Sequence, residues 1–164
     1  IGVANDFRRI GLIRDPYNFG TTTVASADTR RQLYATIFSS VSGTFTADEE
    51  INQATTGAVG KVVEYDSTNK ILYWYQTRFP DVGTDSDGNL TAFSGANAIT
   101  GQSSSAAATP NTSNSTTTNG VVFSSGYSNP ELAFDSGDII YVEERSPITR
   151  ASDQTENIKL IVEF

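Results

Sequence analysis

Apolar and polar residues along this chain alternate with a period of two, and no segment sustains the 3.6-residue spacing of a helix. In "FRRIGLIRDP", Phe7, Arg9, Gly11 and Ile13 alternate with Arg8, Ile10 and Leu12. Pro16 ends that strand because proline cannot donate a ladder hydrogen bond. In "RQLYATIFSSV", Tyr34, Thr36 and Phe38 share one face, while Leu33, Ala35 and Ile37 share the other. Both faces are apolar, as in a strand covered on two sides. Farther on, Val59, Lys61, Val63 and Tyr65 alternate with Val62 and Glu64, and "DSTNK" leads into the apolar run at 71–75. Asp66 and Asn69 suit that turn because short polar side chains bond to nearby backbone and tolerate left-handed conformations. Gly57 and Gly60 mark the sharp bends of a small barrel. Near the end, Ile139, Tyr141 and Glu143 alternate with Ile140, Val142 and Glu144, and Ile158, Leu160, Val162 and Phe164 form one more apolar face. The only helical candidate is a short turn in "SADTRRQL", with Ser26 as cap.

Residues 94–120, "SGANAITGQSSSAAATPNTSNSTTTNG", offer little to bury apart from Ile99, too little to offset the entropy of ordering. The pattern therefore predicts an all-β protein with three parts. Residues 1–39 and 121–164 form a discontinuous, layered β-sandwich core. Residues 40–93 form a small inserted β-barrel-like module. Residues 94–120 form a long, flexible Ser/Thr/Asn-rich loop.

Composition narrows the function classes. The 164 residues carry no His and no Cys. Serine–histidine and cysteine–histidine catalysis are thereby excluded, along with disulfides and the commonest metal ligand. The net charge of −8, from 19 acidic and 11 basic residues, opposes a nucleic-acid or anionic-membrane partner. No apolar run approaches the ~20 residues of a membrane span. The chain begins at Ile1 and has no Met, which points to a trimmed chain or the distal part of a longer protein, so the domain number is a lower bound.

Chemistry is left with carboxylates, Lys and Tyr. Glu143 and Glu144 are adjacent on a strand, so they point to opposite faces and cannot flank one scissile bond. Asp48, Glu49 and Glu50 read as a solvated loop. Asp85, Asp87 and Asn89 occur at i, i+2 and i+4, a spacing that begins calcium loops. However, glycine falls at the fourth position rather than the sixth and Ala96 occupies the twelfth, so an ordinary turn is favoured over a metal site. Three glycosylation-like triplets begin at Asn89, Asn111 and Asn114 and carry no weight without a secretory context. Tyr73 and Tyr75 face away from Trp74, which suits core packing better than a sugar-stacking row. Arg145 and Arg150, with Pro147, lie in a turn between two strands, where an Arg is positioned for a partner carboxylate or for its own hairpin.

The final stretch, "GDIIYVEERSPITRASDQTENIKLIVEF", resembles the C-terminal end of the T4-type bacteriophage baseplate wedge subunit, the product of gene eight. The matching positions are Gly137, Asp138, Ile140, Tyr141, Glu143, Arg145, Pro147, Ile148, Asp153, Gln154, Thr155, Glu156 and Phe164. Phe7, Arg8, Ile10, Ile13 and Pro16 resemble an earlier strand of the same family. The two blocks cover about a quarter of the chain, and the middle departs from the T4 form as an insertion.

The resemblance implies a virion structural protein in the baseplate wedge of a contractile tail, assembled in the host cytoplasm. It implies contacts to other wedge proteins, a homodimer in the full-length protein, and neither catalysis nor a cofactor. Arg145, Pro147, Arg150, Asp153, Gln154 and Glu156 become interaction or fold-locking residues. The competing expectation is a carbohydrate- or receptor-binding β module of a phage tail protein, with the inserted barrel as its binding part.

Overall fold

The computed structural model describes residues 9–26, 30–77 and 82–144. Among the described residues there are eleven strands and no helix, so the all-β expectation is met. Internal contacts divide the chain into two units, residues 1–16 with 137–164, and residues 17–136.

In the first unit, β1 (Arg9–Arg14) pairs antiparallel with β11 (Asp138–Glu144). Leu12 lies opposite Tyr141 and Ile13 opposite Ile139, so the register slips by one residue at Ile140. That slip is a β-bulge, which raises local twist. Pairing continues to Arg14↔Asp138, where an ion pair at 2.9 Å closes the ribbon. Asp15, in a left-handed conformation, and Pro16 then end β1.

The second unit is built on β2 (Tyr34–Ser42), β3 (Glu50–Gln53), β4 (Ala58–Asp66), β5 (Ile71–Tyr75), β6 (Ile99–Gly101) and β7 (Ala107–Pro110). They lie in the order β2-β5-β4-β3-β6-β7, and β7 pairs back onto β2, closing a six-stranded antiparallel barrel. The hairpin-connected trio β3-β4-β5 with β6 returning beside β3 is a Greek key. Closure leaves this wall no open edge to pair with another chain. Short strands β8 (Thr117–Thr118), β9 (Val121–Val122) and β10 (Tyr127–Ser128) complete the unit, with β10 paired to the start of β2.

The two-faced apolar pattern of β2 has a direct cause. Inside the barrel, Phe38, Phe45, Ile51, Val62, Leu72 and Trp74 are buried together with Phe93 and Ile99. On the outer side of the same wall, Ala35, Ile37 and Ile71 are covered by Val121 and Phe123. Alternation along β5 thus sends Leu72 and Trp74 inward and Ile71 and Tyr73 outward. Trp74 is core, as its neighbours predicted, and its indole N–H donates to Thr36 Oγ1 at 2.9 Å. Gly60 permits the bend beside it: a Cβ there would meet the Tyr75 carbonyl at 3.0 Å and the Trp74 ring at 3.2 Å. The 66–70 turn also forms as expected, with Asp66 Oδ1 accepting from the Thr68 and Asn69 N–H groups.

The structure divides the chain differently from its composition. Residues 94–120 are not a flexible loop: they supply β6 and β7, and Ile99, Ala106 and Ala108 are buried. Small side chains fit there because the large Phe38 and Phe45 fill the space they leave. Residue 39 lies within β2, so the barrel begins earlier than residue 40 and includes a strand assigned largely to the sandwich core. The candidate helical turn falls partly on residues 27–29, which lie outside the described residues; residues 30–33 carry no helical turn.

Candidate interaction sites

Polar groups inside the barrel are consumed by the fold. Glu49, 5% exposed, places its carboxylate where a loop meets the β6–β7 hairpin. Oε1 accepts from the Thr46 N–H (2.7 Å) and Ser104 Oγ (2.8 Å), and Oε2 from the N–H groups of Ser104 (2.9 Å) and Ser103 (3.2 Å). Burial pushes this carboxyl up, but the bonds from Ser104, Thr46 and Ser103 together outweigh it and hold the group below its ordinary range. Gly101 leaves room for the lock, because a Cβ there would lie 2.6 Å from the carboxylate. Glu49 is therefore a structural anion rather than part of a solvated loop. Gln53, fully buried, is likewise satisfied: its amide donates to the Asn97 carbonyl (2.8 Å) and Tyr127 Oη (3.3 Å), and its Oε1 accepts from Thr56 and Ser94.

The Asp85–Asn89 spacing resolves into a turn. Asp85 Oδ1 accepts from the N–H groups of Asp87 and Asn89, and Asn89 Nδ2 reaches Oδ2 at 3.5 Å. Those hydrogen bonds engage both oxygens of Asp85. Among the described residues no cluster of three or more acidic side chains has metal-binding geometry.

Two clefts flank the segment Tyr127 to Asn129. The wider, about 490 Å³, includes Arg31, Phe123, Ser124 and Glu131 in its walls; the narrower, about 210 Å³, includes Tyr34, Trp74, Gln76 and Phe93. Arg31 is fixed by Nη2 donating to Ser128 Oγ and the Asn129 carbonyl, both at 2.8 Å, and by Nη1 donating to the Leu33 carbonyl. Its own N–H donates to Glu131 Oε2 at 2.8 Å, and its carbonyl accepts from the Glu131 N–H at 2.7 Å. Burial draws the guanidinium below its ordinary value, and the nearby Glu131 opposes that shift. Arg31 and Glu131 did not stand out in the sequence: they are 100 positions apart and carry no local motif.

The β1–β11 ribbon is the opposite kind of surface. Leu12, Ile13, Ile139, Ile140, Tyr141 and Val142 are all exposed, with Ile139 at 69% and Val142 at 60%. Arg145, Pro147, Arg150, Asp153, Gln154 and Glu156, and the apolar run ending at Phe164, lie outside the described residues.

A family model described as bacteriophage T4 Gp8 matches residues 79–164, just over half of the chain. The chain belongs to the Gp8 family. It is thus a phage baseplate structural protein by family. The matched stretch includes β6 and β7, so part of this Gp8-family barrel lies within the matched segment, as does the ribbon strand β11. No curated protein and no solved structure matches the chain.

Proposed function

We propose that this Gp8-family chain is a structural component of the wedge in a contractile-tail baseplate, acting through protein–protein contacts in virion assembly. The family match carries the reading. The ribbon supports it, because six exposed large hydrophobic side chains on two short strands are costly in water and suit burial against another protein. Other wedge proteins are the partners, a homodimer is the state of the full-length protein, and assembly takes place in the host cytoplasm. No catalysis or cofactor enters this role, and the charge of −8 argues against nucleic acid and membrane surfaces. Arg145, Pro147, Arg150, Asp153, Gln154 and Glu156 serve this role as interaction or fold-locking residues.

Co-expression with the neighbouring tail proteins of the same phage tests this directly. The wild-type chain is expected to co-elute with at least one of them, and Val142→Asp to abolish co-elution while the thermal midpoint holds. Charge reversal at Arg145 is expected to weaken folding or co-elution. Failure of the wild-type chain to associate with any tail protein overturns the reading.

A further inference from the structure

We infer that the paired clefts along Tyr127–Asn129 form a binding site for a neutral oligosaccharide. The claim rests on the polar groups left over once the fold is satisfied. Among the described residues, the exposed Asn129 carboxamide and the Ser124 hydroxyl have no protein partner. Glu131 uses only Oε2, toward Arg31. Gln76 donates through Nε2 to the carbonyls of Val59 (3.0 Å) and Thr91 (2.8 Å), which pins its amide and leaves Oε1 without a protein partner. Three hydrogen bonds hold the Arg31 guanidinium and leave two of its five N–H donors over.

This set combines donors with acceptors in two clefts that share Tyr127, Ser128 and Asn129. Hydroxyl groups, each of which both gives and takes a hydrogen bond, complement such a set. Tyr34, Leu90 and Tyr127, each partly exposed, supply apolar surface for ring C–H groups. Combining apolar walls with a few placed polar groups is the usual makeup of a small-molecule site.

Other ligand classes fit worse. An anion entering the wider cleft meets Glu131, a cation meets Arg31, and the chain's net charge repels anionic polymers at longer range. An extended peptide finds no strand edge on β10: Tyr127 pairs with Thr36 on one side and with Ser124 on the other. All of the site lies within residues 17–136.

Trp74 is the only tryptophan and lines the narrower cleft, so its emission reports occupancy. The full chain is titrated with maltose-, mannose- and galactose-series oligosaccharides, and with sialylated and sulfated counterparts. At least one neutral series is expected to change Trp74 emission saturably, with the anionic counterparts weaker. Asn129→Ala is expected to weaken that binding about fivefold, the equivalent of one hydrogen bond, at an unchanged thermal midpoint. Ser124→Ala, also at an exposed hydroxyl, provides the same reading should Asn129→Ala disturb folding. The inference fails if no neutral oligosaccharide saturates, if anionic glycans bind better, or if a folded variant binds like wild type.

Discussion

The barrel and the ribbon are made from the same kinds of residue and use them in opposite ways. In the barrel, alternation sends one set of apolar side chains into a closed interior and the other beneath a covering segment, and strand closure removes the edges. In the ribbon, a run as apolar as any in the barrel, Ile139 to Val142, stays exposed. A period-two pattern therefore specifies a strand with two apolar faces, but not what covers them. The described barrel strands cover their own apolar faces, and the described ribbon strands leave theirs exposed.

The sharpest way to break this contrast is to truncate one apolar side chain in each region. Leu72 is fully buried in the barrel interior, so Leu72→Ala removes its transfer energy and leaves a cavity, a cost of about 2–5 kcal/mol. For a unit of this size that lowers the thermal midpoint by roughly 10 °C. Val142→Ala, at a 60% exposed site, is expected to cost less than about 0.5 kcal/mol in the isolated chain. Thermal denaturation of both variants checks the pair. Equal losses would mean that the ribbon is already covered within a single chain.

Much of the barrel was legible because its signals are local. The strand before the 66–70 turn, the turn itself and the run at 71–75 depend on alternation and on Asp66 bonding to its near neighbours. The strands β6 and β7 were not legible. Their burial arises from the barrel around them, where small Ala106 and Ala108 complement large rings more than 60 positions earlier in the chain. Glu49 misled for the same reason. "ADEE" looks solvated, and the three hydrogen bonds that Ser103 and Ser104 give it come from 54 and 55 positions downstream. Local spacing encodes strands and turns; it does not encode which polar group will be enclosed.

Glu49 offers the second test, because it is a charge that the barrel uses without a cation. In Glu49→Gln, an NH2 group must replace one of the two oxygens. At Oε2 it confronts the N–H groups of Ser103 and Ser104; at Oε1 it confronts that of Thr46. Either choice leaves at least one backbone N–H without its acceptor, a loss of about 1–3 kcal/mol at neutral pH. The pH dependence has a definite sign. The folded carboxyl titrates below its ordinary range, so its contribution is complete above about pH 4.5 and disappears as pH falls through the lower folded value. Asp66 and Asp85 also titrate low, held by hydrogen bonds from Asn69 and Asn89 respectively, so the difference between wild type and variant isolates Glu49. Denaturant midpoints measured from pH 7 to pH 3 should converge at the acid end. A constant gap would show that packing, not the anion, is what the substitution disturbs.

The smallest expected effect lies in the ribbon, where charges meet in the open. Arg14 Nη2 and Asp138 Oδ2 are 2.9 Å apart, as close as the Ser104 N–H is to Glu49, yet the two side chains are 62% and 70% exposed. Water already solvates both ions, and holding two flexible side chains together costs entropy, so the pair contributes at most about 1 kcal/mol. Arg14 also lies 3.8 Å from Asp15, which dilutes its preference for Asp138. A double-mutant cycle on Arg14→Ala and Asp138→Ala should give a coupling energy in that range. Raising salt from 0.1 to 1 M should shrink it, because the screening length falls from about 10 Å to about 3 Å. A coupling above about 2 kcal/mol that ignores salt would mean that the ribbon's end is desolvated in solution. In that case the exposed apolar face beside it would already be occupied by another copy of the chain, and the cycle would become a probe of that contact rather than of an open surface.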